Sequence, residues 1–120
     1  MKAKESASLF EALPNLVIDI EGALIRIGRG NVAEQLREVV LERWTYDEFA
    51  DAATLYLSSP RALNGPDQSI VGVRHGETLC PFDDLAINLD LDNHGRLTSI
   101  ELLDARAIVS ELEKGGISDG

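Results

Sequence analysis

One cysteine, one tryptophan, one methionine and four prolines are all that this 120-residue chain has of those residues, and aromatics make up only 5% of it. A lone thiol, Cys80, cannot close an internal disulfide, so packing must hold the fold and a reducing compartment is expected. With so few rings the core must be mainly aliphatic. Lysine and arginine are scarce as well, 11 against 21 acids for a net charge of −10. They form no cluster; the nearest approach to one is Arg26 and Arg29 beside Gly28 and Gly30, read as solvated charges, so nucleic acid is not an expected partner. No apolar run approaches the roughly 20 residues that span a bilayer. The start, MKAKESASLF, also lacks the apolar centre of a secretory signal. Membrane association is therefore not expected, and the cytoplasm is the default location.

What the chain does contain suits one folded domain spanning residues 1–120: 44% hydrophobic and 27% charged residues, at a length that buries about two-thirds of the unfolded surface. The acidity is uneven. Residues 1–44 hold seven acids and six bases, while residues 45–120 hold fourteen acids and five bases. Solubility is the plain account of this excess, and a basic protein partner or a cation is the functional one.

Leu16, Ile18 and Ile20, then Glu21-Gly22, then Leu24 to Ile27 read as two alternating strands about a turn, an N-terminal β-hairpin. Asn31 with Glu34 three residues later is an N-cap pattern opening a helix through Val32 and Leu36. Val39 to Tyr46 suits either the end of that helix or a strand. ATLYL, residues 53–57, reads as a strand, and SSPRALNGPDQ, residues 58–68, as an exposed loop. SIVGVR, residues 69–74, is a candidate strand, with His75-Gly76 as a turn. Leu85, Ile87, Leu89 and Leu91 alternate with polar residues in the strongest strand pattern of the chain. Asn93-His94-Gly95 turns it back into Leu97 to Leu103. Asp104 to Lys114 predicts a C-terminal helix stopped by Gly115-Gly116.

YDEFADAATLYLS (residues 46–58) followed by LAINLDLDNHGRLTSIELLDA (residues 85–105) resembles a family of small bacterial proteins catalogued as domain of unknown function 2283. The resemblance runs from about Leu41 to Ala105, with a long loop after Ser58 and an added element over residues 1–40. It implies an antiparallel meander with Leu41 to Tyr46 as a strand, so the preceding helix ends near Glu38. No activity and no catalytic residue are implied.

Three patterns could carry chemistry. Asp90, Asp92, His94, Gly95 and Glu101 fall nearly at the spacing of a calcium loop, which would make Asp90, Asp92 and Glu101 the ligands. Imidazole is a poor calcium ligand, however, and the flanking segments alternate as strands rather than helices. Val73-Arg74-His75-Gly76-Glu77-Thr78 resembles the phosphohistidine motif of histidine phosphatases. The chain beyond it holds only His94, Arg96 and Arg106 to complete such a site, and an exposed turn histidine is the plain alternative. Cys80 with His75 and Asp83 or Asp84 has the outline of a thiol nucleophile, but an acidic neighbourhood opposes thiolate formation, and a lone cysteine is more commonly a small buried hydrophobe. Trp44 and Tyr46 read as core or subunit contacts.

The expected fold is α+β: an N-terminal β-hairpin and helix (residues 1–40), an antiparallel β meander of about four strands (41–105) and a C-terminal helix and tail (106–120). The expected function is non-enzymatic binding or assembly, with no cofactor. Self-association as a homo-oligomer through a sheet edge or a helix face is the leading mode, because short meanders leave edges that need covering.

Overall fold

The computed structural model describes residues 7–58, 74–84 and 86–116. The class is α+β, with short N-terminal elements, a six-stranded antiparallel sheet and a C-terminal helix. A two-residue strand β1 (Ala7–Ser8) leads into α1 (Leu9–Ala12), α2 (Pro14–Arg26) and α3 (Gly30–Leu36). The strands β2 (Val40–Asp47), β3 (Ala52–Ser58), β4 (His75–Leu79), β5 (Ile87–Asp92) and β6 (Leu97–Leu103) follow, then α4 (Arg106–Lys114). The spatial order is β1-β2-β3-β6-β5-β4, so β6 sits at the centre and β1 and β4 at the edges.

Pro14–Arg26 form a helix where alternation predicts a hairpin. Leu16, Val17, Ile20, Ala23 and Leu24 are buried, the i, i+1, i+4, i+7, i+8 set of a helix face. Pro14 stands at the first helical position, where its missing N–H is no loss. In a segment this uniformly apolar a two-residue period is present by coincidence, and burial of one helical face overrides the β-preference of its branched residues. Gly22, expected at a turn, lies inside the helix. The real stop is Gly28, at φ +81°: its N–H reaches the Ile25 carbonyl and the Arg29 N–H that of Leu24, the paired bonds of a Schellman terminus.

The expected N-cap at Asn31 is also displaced. Helix α3 begins at Gly30 with Arg29 at the cap and no side-chain cap bond; the Arg29 carbonyl accepts from Val32 and Ala33 instead. The strand predicted from Leu41 is present as β2, and the helix before it ends at Leu36. His75-Gly76, expected as a turn, opens strand β4. Its residues are almost all exposed and polar, so no apolar period marks it, and pairing with β5 makes it a strand. The expected loop beyond Ser58 and the candidate strand at 69–73 lie outside the described residues.

Burial alternates along β3, where Ala53, Leu55 and Leu57 face inward. These side chains join Leu89, Leu91, Ile100 and Leu102 of the neighbouring strands in one core. The same core takes in Leu16, Ile20 and Leu24 of α2, Leu36 of α3 and Val109 and Leu112 of α4. Trp44 belongs to it at 2% exposure. The opposite sheet face carries polar side chains such as Thr54, Asn88, Asp90, Ser99 and Glu101. Two side chains tie the helical layer to the far hairpin. Gln35 of α3 donates to the Gly95 carbonyl and accepts from the Leu97 N–H, both at 2.8 Å, and Arg29 holds Glu77 of β4 at 2.6 Å.

Candidate functional site

The calcium-like spacing folds as the β5–β6 hairpin, and Asp92 is its keystone. This side chain is the one buried charged residue of the described chain. Its Oδ1 accepts the backbone N–H groups of His94 and Arg96 at 2.8 and 2.9 Å, and its Oδ2 accepts Arg96 Nε at 2.7 Å. Burial pushes the Asp92 carboxyl up, but these three donors outweigh it and hold the group below its ordinary value. Both oxygens are thus turned to N–H donors. Asp90 lies on the outer sheet face, opposite Ser99, and Glu101 lies opposite Asn88 on that face. Among the described residues, no three His, Cys, Asp or Glu side chains stand together as a metal-holding group.

Asp90 instead gathers hydroxyls. Thr78 donates to its Oδ1 at 2.7 Å and Ser99 to its Oδ2 at 3.0 Å. His75 Nε2 lies 2.9 Å from the Thr78 hydroxyl and 3.6 Å from Asp90 Oδ1. The Thr78 hydroxyl thus stands between the His75 imidazole and the Asp90 carboxylate, the reverse of a nucleophile–base–orienter chain, in which the imidazole stands between hydroxyl and carboxylate. Gly76, next to His75, lies hard against β5: a Cβ there would come within 2.3 Å of the Asp92 carbonyl oxygen.

Cys80 is exposed, not buried, and its thiol donates to Asn88 Oδ1 at 2.8 Å. Neither imidazole nor any acid contacts it in these bonds. Farther along the same face Arg43 stacks its guanidinium 3.8 Å over the Tyr56 ring. The β2–β3 turn is fixed by Asp47, which accepts the Phe49 and Ala50 N–H groups, and by the Tyr46 hydroxyl donating to Asp51 at 2.7 Å. That bond raises the Tyr46 hydroxyl above its ordinary value. Phe49 itself stands wholly in solvent at the tip.

The surface that the sequence pattern concealed is the outward side of α2. Ile18 and Ile25 are 50% and 65% exposed; seven residues apart, they lie in one line along the helix with Gly22 between them. Asp19 and Arg26 flank that line on one side. Beside Ile18, Asp19, Gly22 and Arg26 runs a groove of about 430 Å³, lined also by Leu16 and, across from the helix, by Phe82, Asp84, Ala86 and Ile87. The helical spacing of Leu16, Ile20, Ala23 and Leu24 was the signal that could have revealed it.

No helix among the described residues is long and apolar enough to cross a membrane. No curated protein and no solved structure shows significant similarity to the chain. The family model described as "Protein of unknown function (DUF2283)" matches residues 43–106, from β2 through the β5–β6 hairpin to the first residue of α4. The match covers most of β2 and all of β3 to β6, with the Asp92 turn, and leaves β1 and α1 to α3 outside it; on that match the chain belongs to the DUF2283 family.

Proposed function

We propose that this chain is a non-enzymatic, cytoplasmic assembly module that self-associates through the outward face of α2. The carrying observation is the pair of isoleucines, Ile18 and Ile25, held in solvent on one line of a helix whose other face is buried in the core. Fully burying an isoleucine is worth about 1.5–3 kcal/mol, and with Ile18 50% and Ile25 65% exposed a covering surface recovers the part still forgone. The sheet edges are poorer contacts, because β1 is only two residues long and β4 carries a bulge near Gly76, both of the kind that blunts strand addition. An enzyme reading with His75 as a phosphoryl-accepting nucleophile has little support, since its ring stands 2.9 Å from the Thr78 hydroxyl and 3.6 Å from the Asp90 carboxylate, an anion that disfavours a phosphate beside it. The exposed free thiol of Cys80 agrees with a reducing compartment.

The test is the mass in solution by light scattering from low micromolar to near-millimolar chain, on chelator-stripped protein with and without calcium. The expected result is a mass that is a multiple of 13.1 kDa and indifferent to calcium. A mass of one chain at every concentration overturns the proposal. A calcium-dependent rise of several degrees in melting temperature would overturn it in favour of Asp90, Asp92 and Glu101 as a metal site.

A further inference from the structure

Resting on the self-association just proposed, we infer that α2 of a second copy covers this face, running antiparallel across a twofold axis that passes near Gly22. Two charges of opposite sign carry the orientation. Asp19 and Arg26 lie on the same flank of the Ile18–Gly22–Ile25 line, placed almost evenly about Gly22. Neither makes an ion pair among the described residues, although Glu21 on the opposite flank is bound by Arg37 at 2.5 Å. In an antiparallel pair like flanks meet, so Asp19 of each copy faces Arg26 of the other, and Ile18 of each faces Ile25 of the other. A parallel pair would bring opposite flanks together, setting the Asp19–Arg26 side of each copy against the Glu21 side of the other and leaving these two charges without each other.

Gly22 supports the close crossing independently. A glycine within a helix costs stability relative to alanine, and nothing among the described residues requires it: of these, a Cβ there would meet only Arg26 Nη1, at 3.9 Å. A second helix crossing at that point does require it, because the absent side chain lets the two backbones approach.

The test is a charge swap read by sedimentation equilibrium at moderate salt. Asp19→Arg alone and Arg26→Asp alone each place like charges in contact, and each is expected to weaken the dimer about tenfold. The double variant, and an equimolar mixture of the two single variants, restore opposite charges and are expected to recover wild-type association. Gly22→Leu is expected to give a monomer whose melting temperature is no lower than that of the dissociated wild type. A double variant as weak as the single ones, or a Gly22→Leu protein that still dimerises, overturns the antiparallel crossing while leaving self-association standing. A wild-type chain that never dimerises overturns both.

Discussion

Asp92 shows what a single buried carboxylate does when donors surround it. Three N–H groups converge on its two oxygens, closing the turn that sets the register of β5 on β6. Their net effect is a carboxyl whose folded pKa lies below the unfolded value of 3.8. The fold therefore favours the ionised form. The resulting stability is fully present above about pH 4, where the unfolded chain is also ionised, and is lost as pH falls through the folded pKa. Asp92→Asn keeps one acceptor but turns an NH₂ group toward the Arg96 guanidinium. It is expected to cost about 1–3 kcal/mol at pH 7, measured by urea unfolding. The gap to wild type should narrow markedly by pH 3; a gap unchanged at that pH would assign the effect to shape and not to charge.

At the scale of elements, Gln35 makes α3 and the β5–β6 hairpin one unit. Its amide supplies an acceptor to the Leu97 N–H and a donor to the Gly95 carbonyl, as a neighbouring strand would. Leu97 is 2% exposed, so truncation leaves its N–H without a partner in a place water reaches poorly. Gln35→Ala is expected to destabilise by about 1–3 kcal/mol and to speed hydrogen exchange at the Leu97 amide more than at the Leu55 amide in β3. Equal protection at Leu97 in both proteins would refute the bridging role. Such a contact joins residues 62 apart in sequence, so no local pattern announces it. What local pattern does announce is the sheet: alternation through Ile87, Leu89 and Leu91 and the turn at Asn93 to Gly95 gave β5 and β6 directly. The α2 face was hidden for the opposite reason. Leu16 to Ile27 is so rich in branched apolar residues that both periods fit, and Gly22, an apparent turn residue, split one helix into two strands. With Ile18 and Ile25 assigned to different strands, their common line could not be seen. Strand β4 stayed hidden because its exposed polar residues are placed by pairing with β5 alone. The aspartates at calcium-loop spacing were visible, but spacing does not tell whether a carboxylate faces cations or N–H donors.

For the whole molecule the controlling quantity is charge. Each copy carries −10 on a body with a radius of gyration of 14.1 Å, so paired copies hold their centres about 28 Å apart, taken as twice that radius. Point charges of this size would repel by about 15 kcal/mol in water without ions. Screening reduces this to about 6 kcal/mol at 0.01 M salt, with its 30 Å Debye length, and to roughly half a kcal/mol at 0.15 M. The two Asp19–Arg26 contacts act the other way, but exposed pairs are worth about 1 kcal/mol or less each and cannot reverse a change of several kcal/mol. Self-association is therefore expected to strengthen as salt rises, with the dissociation constant falling by about two orders of magnitude or more between 0.01 and 0.15 M, read by sedimentation equilibrium. The sign separates the two classes of partner this acidic surface admits. A basic protein would be drawn to the chain by the same charge and would bind more weakly with added salt. A dimer that loosens as salt rises would show that local ion pairs, and not the covered isoleucines, hold the two copies together.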